Sequence, residues 1–108
     1  MGQASKLVRD RIPQIIAAAG GSCVVRTLDE DEYIQRLDEK LAEEAAEYQQ
    51  DRTTEELVDI VEVVQAIALQ RGISWPAFEQ LREHKRNERG GFAARQLMMS
   101  SDPPPATE

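Results

Sequence analysis

Two acidic motifs with helical spacing, separated by a short polar break, constrain the fold of this chain more than any other feature. Glu44 and Glu47 form the first pair, and Glu56 and Asp59 form the second. The break at residues 51–54 is polar, and its two threonines can cap a new helix. Because so short a connection makes two helices antiparallel neighbours, the sequence predicts a helical hairpin.

Residues that lie level in an antiparallel hairpin have positions with a constant sum, which pairs Glu47 with Glu56 and Glu44 with Asp59. Carboxylates that converge in this way repel one another and are costly to desolvate, so a cation is needed among them. Oxygen ligands without a nearby His or Cys favour Mg²⁺, or Mn²⁺, over zinc. Each acid taken alone fits the solvent-exposed face of an amphipathic helix. The four acids together, paired across the hairpin, predict a metal site.

A helical wheel at about 100° per residue tests whether these acids point inward. Glu44 and Glu47 lie on one flank of the apolar stripe of their helix, together with Lys40, whereas Glu43 lies on the far side. Glu56 falls within the apolar face of the next helix, where a carboxylate needs a partner. The wheel therefore favours Glu44, Glu47 and Glu56 over Glu43 as metal ligands.

Helix signals divide the chain into an all-α body with one small β element. Helices are predicted from Asp10 to Gly20, from the capping box at 29–32 to about residue 50, from about residue 54 to 71, and from Ser74 to Gly90. Residues 23–28 are short and β-branched, and pairing with residues 92–99 predicts a two-stranded ribbon. The expected architecture is a four-helix-bundle-like domain over residues 1–99, followed by a disordered tail over residues 100–108.

Charge and composition limit the function classes. The net charge of −7 argues against non-specific binding to nucleic acid or to an anionic membrane. A single cysteine, Cys23, cannot form an internal disulfide, which fits a reducing cytoplasm, and no apolar run is long enough to span a bilayer. The third helix is apolar over about two-thirds of its circumference, more than one small bundle covers, so we expect a homodimer or a homotetramer.

Two basic clusters stand out in this acidic chain, one before the first helix and one at the end of the fourth. Arginine and lysine hold phosphoryl oxygens, which makes these side chains candidates for binding phosphate. Surface solubility and the helix dipole explain such clusters equally well. The candidate phosphate ligands are Lys6, Arg9, Arg11, Lys40, Lys85 and Arg89.

Four motifs together carry a family resemblance. They are Lys-Leu-Val-Arg-Asp-Arg-Ile-Pro at residues 6–13, Lys-Leu-x-Glu-Glu-x-x-Glu at 40–47, Glu-Leu-x-Asp at 56–59 and Lys-x-x-x-Arg-Gly-Gly-Phe at 85–92. In these motifs the chain resembles the all-α nucleoside triphosphate pyrophosphatases, most closely the MazG-like and phosphoribosyl-ATP pyrophosphohydrolase-like branch. The resemblance covers about residues 6–97. Its acidic signature is fairly specific when both halves lie on one helical hairpin.

The resemblance implies a MazG-type fold and a Mg²⁺-dependent hydrolase of acid anhydrides that splits an NTP or dNTP into the monophosphate and pyrophosphate. Carried over onto this sequence, the metal ligands are Glu44, Glu47, Glu56 and Asp59, with Glu43 helping from outside the ligand set. In the expected mechanism the ions neutralise the triphosphate, and a water oriented by a carboxylate attacks a phosphorus beside the α–β bridge. The likeness also suggests a role in removing damaged or excess nucleotides.

Two other functions remain open at this point. The chain could be a phosphoribosyl-ATP pyrophosphohydrolase, which a direct substrate test would decide. It could also be a non-catalytic helical interaction module, which would be indifferent to Mg²⁺. The four acids argue against such a module, since it has no use for carboxylates that are costly to bury.

Overall fold

A computed structural model describes residues 5–105, and over that range the protein is all-α. The helices are α1 (Ile12–Ala18), α2 (Glu30–Asp51), α3 (Thr54–Gln70) and α4 (Trp75–Arg89). Over the same range no helix combines the length and the apolar character needed to cross a bilayer. The chain divides into two compact units, the first ending at Trp75 and the second starting at Pro76. The all-α class is confirmed, and the four-helix-bundle-like arrangement stays a prediction.

The hairpin of α2 and α3 forms because a side-chain cap begins each helix and a left-handed residue ends the first. Asp29 accepts a hydrogen bond from the Glu32 amide at 2.9 Å, and Thr53 accepts one from the Glu56 amide at 3.3 Å. Arg52, the C-cap of α2, has a left-handed backbone with φ of 57°. A connection of two residues thus reverses the chain, and α2 packs against α3 as the sequence predicts.

The apolar core of the described chain is small. Among residues 5–105 the buried hydrophobic residues are Leu37 on α2 and Val63 and Ala68 on α3. Val58 and Val61, on the side of α3 turned away from Val63, are half exposed. The packing of α2 on α3 is therefore the main source of burial in the first unit.

The predicted two-stranded β ribbon is wrong. Residues 23–28 form no strand in the described structure, and Val24 and Val25 are exposed. Residues 92–99 contain a short turn and are exposed throughout. β-branched residues favour a strand where a pleated surface packs on an apolar layer, and a two-stranded ribbon without such a layer is marginal in water. Of the predicted tail, residues 106–108 lie outside the described residues.

The first helix begins later than the sequence predicts. Its N-cap is Arg11, which makes no side-chain capping bond, so the expected cap at Asp10 is wrong. The Ile12 amide instead donates to the Arg9 carbonyl at 3.0 Å in a turn that precedes the helix. Gly20, with φ of 86°, follows the end of the helix as expected, because a left-handed backbone suits glycine.

Replacing Leu37 with alanine is expected to destabilise the protein by about 2–5 kcal/mol, because its loss leaves a cavity in a small core. The residue is 3% exposed. Leu81→Ala is the control, since it removes the same atoms from a residue that is 61% exposed. The control should change stability by no more than about 0.5 kcal/mol. Chemical denaturation followed by circular dichroism measures both, and equal effects would contradict this placement of the core.

Candidate metal centre

The hairpin brings together three acidic side chains from its two helices. One carboxylate oxygen from each of Glu44, Glu56 and Asp59 lies within 4.8 Å of the other two. Glu44 stands about two turns before the end of α2, while Glu56 and Asp59 lie in the first two turns of α3. This proximity agrees with the level pairing of Glu44 and Asp59 in the sequence. We call these three residues the acid cluster.

Two oxygens of the acid cluster are buried without a hydrogen-bond partner. Glu44 is 6% exposed, and its Oε1 lies 3.3 Å from the Lys40 ammonium, but its Oε2 has no partner. Glu56 Oε2 is likewise buried and unpartnered. A buried oxygen that has lost its water and gained no donor costs free energy, and native structures hold few of them. These two atoms leave the cluster with hydrogen-bonding capacity that the described residues do not satisfy.

Burial raises the pKa of Glu56 above its usual range, and neighbouring carboxylates raise it further. The charge of Glu47 is the largest of these carboxylate contributions, and the charges of Asp51 and Asp59 add to the effect. Glu47 therefore neighbours Glu56, as the level pairing predicts, but it is not one of the three clustered acids. The site holds more negative charge than its own surroundings neutralise.

A partly buried lysine compensates one side of the acid cluster. Lys40 is one turn before Glu44 on α2, and its side chain is 18% exposed. Its ammonium lies 3.3 Å from Glu44 and 3.7 Å from Glu43. Glu43 is outside the cluster, as the helical wheel predicts, and it shares the Lys40 ammonium with Glu44. One cation thus occupies Glu44 Oε1 and leaves Oε2 open.

A second cation reaches the acid cluster from the segment before α1. The Arg9 guanidinium donates to Asp59 Oδ1 at 2.6 Å. The same segment is held at Ser5, whose carbonyl and hydroxyl oxygens both accept from Arg36 at 3.2 Å, and at Lys6, which lies 4.0 Å from Glu43. No sequence signal identifies Arg36 as an anchor, because its partner is 31 positions away in the chain. Residues 5–9 therefore lie along the hairpin on the side of the acids.

The remaining predicted phosphate ligands are Arg11, Lys85 and Arg89. Arg11 is exposed at the N-cap of α1. Lys85 and Arg89 are on α4 in the second unit. Lys6, Arg9 and Lys40, three of the six basic residues that the sequence singles out, contact acids of the hairpin.

The chemistry of the acid cluster fits a divalent cation that prefers oxygen. Its donors are all carboxylates, which suits Mg²⁺ or Mn²⁺. Oxygens on opposite sides of an octahedral Mg²⁺ lie about 4.2 Å apart, since each is about 2.1 Å from the ion. Only one pair among three such oxygens can be opposite, and neighbouring oxygens on the ion lie about 3.0 Å apart. The three oxygens of the acid cluster lie within 4.8 Å of one another, so the side chains would have to draw closer together to hold one ion.

Comparison with known proteins identifies a relative over part of the chain. A stretch of 43 residues is 58% identical to an uncharacterized protein of Mycolicibacterium smegmatis. The match covers 40% of this chain and 44% of that protein. No protein-family model matches the chain, and no solved structure matches it. The match shows a related segment and assigns no activity.

Glu56→Gln is expected to stabilise the metal-free protein near neutral pH. Because the pKa of Glu56 is raised on folding, its contribution to stability is present below the unfolded pKa and is lost as pH rises through the folded pKa. The melting temperature in EDTA should therefore fall less for Glu56→Gln than for wild type between about pH 4 and pH 7. Thermal unfolding followed by circular dichroism measures this difference.

The control is Glu55→Gln, which changes an exposed carboxylate one position away. Its pH dependence should follow that of the wild type. If the pH dependence of Glu56→Gln also followed that of the wild type, folding would not raise the pKa of Glu56.

Proposed function

We propose that the protein is a Mg²⁺-dependent nucleoside triphosphate pyrophosphohydrolase that splits an NTP or dNTP into the monophosphate and pyrophosphate. The observation that carries the proposal is the pair of buried, unpartnered oxygens on Glu44 and Glu56 within a group of three converging acids. Burying carboxylate oxygens without a partner costs free energy, and a bound cation would offset that cost. The sequence resemblance adds the reaction and the class of substrate.

In this proposal Glu44, Glu56 and Asp59 hold the cation, and Glu47 stands beside them. A divalent cation bound there would neutralise charge on the triphosphate and stabilise the charge that develops in the transition state. We assign to Glu47 the orientation of the attacking water and the acceptance of its proton, because it neighbours Glu56 without belonging to the cluster. The attack forms a bond from the water oxygen to phosphorus, and the bridging P–O bond breaks.

Basic side chains near the acids would hold the phosphate chain. Lys6, Arg9 and Lys40 contact acids of the hairpin, so their charges are already at the place where a triphosphate would meet the cation. Arginine binds phosphate through its planar fork and lysine as a point charge. Arg11, Lys85 and Arg89 stay candidates from the sequence.

The oligomer expected from the sequence is part of the same proposal. The described core is small for a chain of this length, and Leu57, Val58 and Val61 on α3 are exposed apolar side chains close together. A second copy of the chain would cover this face and add to the core.

Light scattering on the wild type and on Val61→Glu measures the oligomeric state. The wild type should be a dimer or larger, and Val61→Glu should shift it toward monomer. A monomeric wild type would contradict the oligomer.

The activity test is pyrophosphate release from a panel of NTPs, dNTPs and phosphoribosyl-ATP, in Mg²⁺ and in EDTA. The double substitution Glu44→Gln, Glu56→Gln should lower the rate by more than the roughly 10- to 100-fold that follows loss of a residue that only supports a metal ligand. Glu55→Gln, an exposed change on the same turn, should retain the wild-type rate.

The panel also separates the alternatives. Release from phosphoribosyl-ATP alone would identify a phosphoribosyl-ATP pyrophosphohydrolase instead of an enzyme that acts on the nucleotide pool. Release from no compound on the panel would contradict the enzyme proposal and leave a helical interaction module. Such a module would bind its partner through the exposed apolar face of α3.

A further inference from the structure

The contact between Arg9 and Asp59 places a protein cation on one of the acids that the proposed metal would need. Arg9 Nη2 lies 2.6 Å from Asp59 Oδ1, a distance typical of a charge-assisted hydrogen bond. Asp59 is the acid whose oxygen completes the cluster with Glu44 and Glu56. An ion held by Asp59 would therefore stand within a few ångströms of the guanidinium, and two cations at such a distance repel.

The Lys40–Glu44 and Arg9–Asp59 ion pairs differ in how exposed they are. Lys40 engages Glu44 through Oε1, on the same helix, while Oε2 of that carboxylate stays buried and unpartnered. Glu44 can therefore keep its lysine and still offer an oxygen to a metal. Arg9 approaches Asp59 from a segment without helix or strand, and both side chains are substantially exposed, at 52% and 40%. Exposed pairs of this kind are weak, so a divalent cation can displace the arginine.

The segment that carries Arg9 can release Asp59 without leaving the hairpin. Ser5 accepts two hydrogen bonds from Arg36, and Lys6 contacts Glu43, so two other anchors hold the segment. When Arg9 leaves Asp59 it stays near the acids. A guanidinium freed beside a bound cation is well suited to donate to the phosphate oxygens that the same cation attracts.

We infer that Arg9 serves two partners in turn: it is the counterion of Asp59 in the metal-free protein, and it moves to the phosphate chain of the substrate once a divalent cation occupies the acid cluster. This inference rests on the proposed function, since it needs a metal at the cluster and a phosphate ligand on the metal. Arg9 is accordingly a substrate-binding residue whose removal has opposite effects on the two ligands.

The experiment titrates Mn²⁺ into the metal-free full chain and follows binding by electron paramagnetic resonance. Arg9→Gln removes a competitor, so it should tighten Mn²⁺ binding by about two- to fivefold, the equivalent of one exposed ion pair. Arg9→Lys keeps the charge and should bind Mn²⁺ as the wild type does. The matched control is Arg82→Gln, which removes an arginine from an ion pair of similar exposure, 50% and 37%, with Glu79 on α4. It should leave the Mn²⁺ affinity unchanged.

A second titration adds an α,β-methylene nucleoside triphosphate, which cannot be cleaved at that bridge, to the Mn²⁺-saturated protein. Arg9→Gln should weaken its binding by about tenfold to a hundredfold, the equivalent of one lost hydrogen bond to a charged group. Arg9→Lys should restore part of the loss. A residue that only pins the segment in place would not tighten one ligand while weakening the other.

Two outcomes would overturn the inference while leaving the proposed function in place. If Arg9→Gln weakens Mn²⁺ binding, Arg9 orients Asp59 for the metal instead of competing with it. If Mn²⁺ binding is unchanged, the contact with Asp59 has no bearing on the site. Absence of Mn²⁺ binding in the wild type itself would remove the proposed function, and the inference with it.

Discussion

The hairpin interface between α2 and α3 contains carboxylates at positions where helix pairs usually bury apolar side chains. Glu44 is 6% exposed, within the range of 3% to 8% of the buried hydrophobic residues, and Glu56 also buries an oxygen. Burial of charge without full compensation opposes folding, so the packing of the two helices depends on what neutralises these acids. In the protein alone, Lys40 and Arg9 do part of this, and two oxygens remain without a partner.

Because the apolar core is small, the charges of these acids have a large effect on the stability of the hairpin. With Leu37, Val63 and Ala68 as the buried hydrophobic residues of the described chain, the apolar packing between α2 and α3 is limited. A ligand that binds the folded state and satisfies the open oxygens would stabilise the hairpin directly. Structure and proposed function are then linked, because the cation that would assist the reaction would also complete the interface that positions its ligands.

The sequence predicts the parts of this structure that depend on local interactions. The caps at Asp29 and Thr53 lie within three residues of their partners, and the short connection between α2 and α3 fixes their direction. The level pairing of Glu44 with Asp59 follows from these two facts alone. For the same reason the sequence predicts that Glu44, Glu56 and Asp59 converge, although it also puts Glu47 in the set, which the three clustered acids do not include.

The parts that the sequence does not predict depend on distant contacts. Arg9 and Asp59 are 50 positions apart, and nothing near either residue specifies the pairing. The prediction of a two-stranded ribbon is wrong for a related reason. The composition of residues 23–28 suits a strand, but a strand also needs a partner strand and an apolar layer, and local composition specifies neither. Asp10 does not cap α1, because residues 9–12 form a turn and the helix begins after Arg11.

The most direct test of the central claim is the change in melting temperature when Mg²⁺ replaces EDTA, measured on the wild type and on Glu44→Gln. If the buried oxygens of the hairpin bind the ion, Mg²⁺ raises the melting temperature of the wild type in a concentration-dependent way, as binding to the folded state requires. Glu44→Gln should lose most of this rise. An equal rise in both proteins, or none in the wild type, would contradict a metal centre at the acid cluster.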